Sequence, residues 1–102
     1  MELCGQTIIA INGGKEFALT PAMSLLISCD TQAEVDRYWN GLAVDGKPMR
    51  WGWITDCFGV TWQIIPTRFK SLVGDPETGP RVLASAGEMT KLDIAALERA
   101  AS

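Results

Sequence analysis

Between residues 24 and 65 the sequence dictates element types in an order that few folds accept: strand, helix, strand, strand. Ser24-Leu25-Leu26-Ile27-Ser28-Cys29 reads as a short strand, with Leu25, Ile27 and Cys29 on one face and Ser24, Leu26 and Ser28 on the other. Thr31-Gln32-Ala33-Glu34 follows at once and fits a helix capping box, in which the Thr31 hydroxyl and the Glu34 carboxylate each satisfy a free backbone N–H. Val35, Tyr38, Trp39 and Leu42 then recur at i, i+3, i+4 and i+7, the spacing of an amphipathic helix with a large aromatic payload on its buried side, and Gly46 is its expected stop. Residues 50–55 and 60–65 are predicted strands. They are joined by the hairpin loop Asp56-Cys57-Phe58-Gly59, whose glycine suits a positive φ, and Pro66 closes the second of them.

The flanks are read from the same signals. Residues 2–11 are rich in β-formers and predict a further strand, stopped by the turn signal Asn12-Gly13-Gly14. Lys15 to Ala22 is a connector. Gly74 to Pro80 is a loop, after which Pro80 fits the first turn of a helix carrying Val82, Leu83 and Ala86. Asp93 is placed to cap a final helix with Ile94, Leu97 and Ala101. The expected class is α+β, a mixed sheet packed on a helix and followed by C-terminal helices. One sheet face packs on that helix. The other also carries apolar groups (Ile8, Leu26 and Ile65) and needs a further layer, supplied in part by the C-terminal helices or, more simply, by a second copy of the sheet.

Length and composition narrow the function classes. The 102 residues predict one domain spanning 1–102. With 47% hydrophobic and 21% charged residues the chain is neither disordered nor fibrous, and no run approaches the ~18–20 apolar residues of a membrane span. No secretory signal is visible, so a cytoplasmic protein is expected. Net charge is −3, and the nine basic residues are scattered with no two adjacent, which argues against nucleic acid as a partner. The absence of histidine removes Ser-His-Asp and Cys-His nucleophile arrangements and His-containing zinc sites. Cys4, Cys29 and Cys57 lie too far apart for a C-x-x-C pair and are expected to be free thiols serving as small buried hydrophobes.

Two near-motifs are dismissed on mechanism. The stretch from Gly41 to Pro48 nearly spells a phosphate loop, but Pro48 stands where a hydroxyl must reach Mg²⁺, and the stretch follows a helix rather than a strand. No G-x-G-x-x-G precedes an acidic ribose contact, so a dinucleotide or methyl-donor cofactor lacks its site and no cofactor is expected.

The runs Ser28-Cys29-Asp30-Thr31-Gln32-Ala33-Glu34-Val35-Asp36-Arg37-Tyr38-Trp39 and Trp51-Gly52-Trp53-Ile54-Thr55-Asp56-Cys57-Phe58-Gly59-Val60-Thr61-Trp62-Gln63-Ile64-Ile65-Pro66, with Ile11-Asn12-Gly13-Gly14 and Leu92-Asp93-Ile94-Ala95-Ala96-Leu97-Glu98, together resemble the PhnB-like branch of the vicinal oxygen chelate (glyoxalase/bleomycin-resistance/dioxygenase) superfamily. Its members are often labelled demethylubiquinone methyltransferase-like. The resemblance implies paired βαβββ modules forming a half-barrel around a ligand cleft. Relatives usually carry a longer N-terminal part, so this chain is expected to supply the second module plus one strand of the first. The strand around Gly46 to Met49 is expected to be short. A homodimer that rebuilds the cleft follows as an expectation.

In metal-dependent relatives the cleft ligands sit on strands. Ser24 matches a position commonly held by His, Gln63 matches the carboxylate of the last strand, and a third ligand falls near Ala10 or Asn12. Ser24 and Gln63 are weak, neutral ligands, so no tightly bound metal is expected. The expected ligand-binding residues are Asn12, Ser24, Trp51, Trp53 and Gln63, around a small apolar or aromatic molecule; no catalytic residue is assigned. Four of them have a plainer role as well. Gln63 can satisfy a neighbouring strand or a water, the two tryptophans can be core against the Tyr38/Trp39 helix, and Asn12 can be an ordinary turn residue. Asp56 is expected in the hairpin rather than as an acid or base. The alternatives are a metal-dependent glyoxalase- or dioxygenase-type enzyme, or a structural partner that completes another half-barrel.

Overall fold

A computed structural model of the chain describes residues 2–3, 5–9, 11 and 18–102. The turn expected at Asn12-Gly13-Gly14 lies outside the described residues, as do Cys4 and residues 15–17 of the Lys15–Ala22 connector. The architecture is α+β. A small antiparallel hairpin, β1 (Glu2–Leu3) and β2 (Gln6–Thr7), precedes β3 (Leu25–Cys29), α1 (Gln32–Ala43), β4 (Lys47–Pro48), β5 (Trp53–Thr55) and β6 (Thr61–Pro66). Three helices follow: α2 (Thr67–Gly74), α3 (Gly79–Ala86) and α4 (Ile94–Ala101). β3 to β6 form one sheet in the order β3-β6-β5-β4, with β3 and β6 parallel and the other pairs antiparallel. This is the expected strand-helix-strand-strand-strand module, and its β4 is short, as foreseen.

α1 begins where the capping signal placed it. The Thr31 hydroxyl accepts the Glu34 N–H at 3.2 Å, and Glu34 answers through a 3.5 Å contact from that hydroxyl rather than through the Thr31 N–H of a full box. Val35 and Trp39 bury against Cys29, Ile54 and Ile64, with Tyr38, Leu42, Ile27 and Trp62 at the margin. The helix stop differs in one detail. Asp45 carries the left-handed φ of +57°, while Gly46 is required because a Cβ there would lie 2.2 Å from the Leu42 carbonyl oxygen.

A second core lies at the end of the sheet. Ile65 packs with Leu72, Val82, Ala86, Leu92 and Leu97, and Phe69, Val73 and Met89 join it from α2 and the turn after α3. Asp93 caps α4 through the Ala96 N–H and Pro80 sits in the first turn of α3, both as expected. Gln32 ties the two cores together. Its amide donates to the Leu92 carbonyl at 3.1 Å and accepts the Ile94 N–H at 2.8 Å.

Several boundaries are corrected. The strand expected over residues 2–11 is a hairpin that reverses at Gly5, where φ is +81°. The strand expected over 50–55 begins only at Trp53, because Trp51 and Gly52 are left-handed and donate their N–H groups to the carbonyls of Met89 and Thr90. Residues 67–74 form a helix for which no element was expected. Cys29 is fully buried, but Cys57 is exposed on the hairpin rather than acting as a buried hydrophobe. Among the described residues no helix is long and apolar enough to cross a membrane.

Candidate binding site

The sheet face turned away from α1 carries the candidate residues that the structure brings together. Side chains alternate along a strand, so once Ile27, Cys29, Ile54 and Ile64 point at α1, their neighbours must point the other way. Register then aligns Leu26 of β3, Gln63 of β6 and Trp53 of β5 in one row across three strands. The Gln63 amide donates to the Ser24 hydroxyl at 2.7 Å, which joins two of the expected residues directly. Trp51 reaches the same face from its left-handed turn. Its ring lies over Gly87 at the end of α3, where an added Cβ would stand 3.0 Å from the indole.

Together these groups border a trough. Trp51, Trp53, Gln63, Ile65, Phe69 and Leu83 line a hollow of about 370 Å³. A neighbouring hollow of about 390 Å³ shares Gln63, Ile65 and Phe69 and adds Leu26, Lys70 and Val73. Apolar groups are left open here: Leu26 is 48% exposed, Trp51 42% and Leu83 39%. Among the described residues the only charged group on the walls is Lys70, whose ammonium donates to the Ser28 hydroxyl at 2.9 Å. The tryptophans are therefore not core against α1; Trp53 lies on the opposite face. Ser24 also stands on the wall of a separate hollow of about 600 Å³, formed with Ile8, Leu19, Met23 and Thr61. Asn12 lies outside the described residues.

Asp56 belongs to the hairpin. Its carboxylate accepts the Phe58 N–H at 2.9 Å, the Val60 N–H at 3.0 Å and the Trp62 indole N–H at 2.9 Å. Burial pushes its pKa up, yet those hydrogen bonds outweigh burial and hold it below the usual carboxylate range. It is saturated as an acceptor and is no general base for the trough. Burial raises the Cys29 pKa, aided by Glu34 and Asp30, which keeps that thiol protonated and unreactive.

Sequence reasoning missed Phe69 and Lys70, which ride on the unforeseen α2. Phe69, Leu72 and Val73 recur at i, i+3 and i+4, a signal that could have revealed it.

The 3-demethylubiquinone-9 3-methyltransferase family model matches residues 1–65. The chain belongs to this family. Among solved structures it is similar to a PhnB protein from Bacillus cereus, provisionally described as a 3-demethylubiquinone-9 3-methyltransferase, with 33% identity over 53% of this chain and 50% of that one and a TM-score of 0.49. The chain thus spans about half the length of that relative. No curated protein matches it.

The family name implies a methyl donor, and the residues present do not fit a nucleoside-bearing one. Such a group is held where a glycine-rich turn links a strand to a helix N-terminus. Here β3 reaches α1 through Asp30-Thr31, and β6 runs into α2 with no loop at all. A divalent metal fits no better. The two matched ligand positions are a hydroxyl and an amide already bonded to each other, and among the described residues no three Cys, Asp or Glu side chains gather into a cage.

Proposed function

We propose that this family member is a small-molecule binding protein of the vicinal oxygen chelate type, and that a second copy closes the trough into a cleft around a flat, apolar ligand. The observation that carries this reading is the row Leu26–Gln63–Trp53, flanked by Trp51 and Leu83. It is a largely uncharged sheet face on which Ile65 packs under the chain's own helices while Leu26 stays exposed and Trp53 and Gln63 only half-buried. Half-buried aromatic walls with one or two polar groups are the usual make-up of ligand pockets. β3, at the edge of the sheet, offers backbone to another chain as well. Free thiols at Cys29 and Cys57 fit a reducing, cytoplasmic setting. Among the described residues the Lys70 ammonium is the one charged group that borders the trough, so the proposal is binding rather than catalysis.

Two measurements test it. Sedimentation equilibrium at micromolar concentration is expected to give a dimer that Leu26→Glu dissociates. Tryptophan fluorescence against a panel of bicyclic aromatic compounds is expected to respond, and Trp53→Phe to reduce the response. A chain that stays monomeric throughout the concentration range overturns the paired cleft, and silence across the panel overturns the binding role.

A further inference from the structure

The Ser24–Gln63 contact has a property that follows from its two partners. A primary amide has one accepting end and one donating end, whereas a serine hydroxyl can play either part. In the observed arrangement the amide Nε2 donates to Ser24 Oγ at 2.7 Å. The amide oxygen has no hydrogen-bond partner among the described residues. Turned over, the amide would accept from the same hydroxyl and offer its N–H groups instead. Neither arrangement breaks the Ser24 contact.

Gln63 is also the one polar side chain common to both hollows of the trough, between Trp53 on one flank and Leu26 on the other. We infer that Ser24 and Gln63 act as an ambivalent polar contact, which holds a flat apolar ligand bearing one hydrogen-bonding atom, donor or acceptor alike. Gln63 touches the ligand, and Ser24 positions the amide. The hydrophobic walls supply sequence-indifferent grip on the ring system, and the pair sets the ligand's in-plane orientation. This reading rests on the binding role proposed above and names the ligand class for that trough.

Three probes of nearly one shape separate the possibilities: indole, which donates; quinoline, which accepts; and 1-methylindole, which does neither. Affinities are measured by calorimetric or ligand-observed NMR titration of the intact chain. Indole and quinoline are each expected to bind roughly three- to tenfold tighter than 1-methylindole, the worth of one neutral hydrogen bond. Gln63→Leu is expected to bring all three together by weakening the first two while leaving 1-methylindole bound. Gln63→Glu, which only accepts when ionised, is expected to keep indole and lose the preference for quinoline. Equal affinities of the three in the unaltered chain, or a Gln63→Leu variant that changes none of them, overturn this inference and leave the binding role standing. Failure of every probe to bind overturns both.

Discussion

The two faces of the four-stranded sheet are made by the same strands and treated oppositely. Against α1 the centre of the contact is closed: Cys29, Val35, Ile54 and Ile64 are 0% exposed and Trp39 6%, with Leu25, Ile27 and Trp62 half-buried at its margin. Across the sheet, one residue along each strand, Leu26 is 48% exposed and Trp53 and Gln63 are half-buried. Burial of apolar area is the main source of stability. A face left open therefore contributes less to folding, and its composition is free to serve something else. The difference gives the centre of the α1 face to stability and leaves the Leu26–Gln63–Trp53 row, beside the second core at Ile65, open for the recognition role proposed above, and it can be broken by substitutions that should affect one face only.

The largest effect is expected at Trp39. Trp39→Ala removes the largest ring between α1 and the sheet and should cost about 3–5 kcal/mol in urea unfolding. A loss below about 1 kcal/mol would mean that the α1 face is not the stabilising one. Next comes Gly52, which links the faces. Its φ is +77°, and an added Cβ would meet the Ile64 carbonyl oxygen and the Leu92 side chain, both at 2.9 Å. Gly52→Ala should destabilise by more than about 1 kcal/mol, since left-handed strain adds to a clash with backbone. It should also loosen Trp51, visible as a change in tryptophan emission.

Gly52 marks the boundary of what the sequence made legible. Local signals were sufficient for α1, for the caps at Thr31 and Asp93, for the Gly59 hairpin and for which side chains share a face of β3 and β6. They failed where a partner distant in the chain decides. Trp51 and Gly52 leave the strand conformation because their N–H groups find carbonyls at Met89 and Thr90, after α3. Nothing within five residues of Trp51 announces that. The pairing of Ser24 with Gln63 was legible only as two residues on one face, because register, not alternation, sets their 2.7 Å separation. Phe69 was lost with α2, which follows β6 directly and has no side-chain cap to announce its start, so that only the Phe69, Leu72 and Val73 spacing marks it.

A smaller effect is expected at Asp56, on the hairpin that orients β5 against β6. Asp56→Ala leaves three N–H donors without their acceptor and should cost about 1–3 kcal/mol at neutral pH. Its folded pKa lies below the unfolded value of about 3.9, so its contribution is complete above that value and is lost as pH falls through the folded pKa. The stability gap between the unaltered chain and Asp56→Ala should therefore close below about pH 4 in acid-titrated unfolding. A gap that persists once NMR titration shows the Asp56 carboxyl protonated in the folded chain would show that the carboxylate's charge is not what the hairpin uses.

The smallest effect on folding is the most telling. Leu26→Ser removes an apolar group that is 48% exposed, so under dilute conditions that keep the chain monomeric its cost should stay below about 1 kcal/mol. Cys29, on the same strand, faces α1 and is fully buried. If the open face is covered only when two copies meet, the cost of Leu26→Ser must grow with protein concentration, because mass action makes dimer stability part of the measured stability. A chevron or melt repeated across a hundredfold range of concentration reads this directly. A cost that stays flat with concentration means Leu26 is merely tolerated at the surface, while one that is large even in the dilute chain means the face already packs within a single copy. Only a small cost that rises with concentration keeps the division of labour between the two faces.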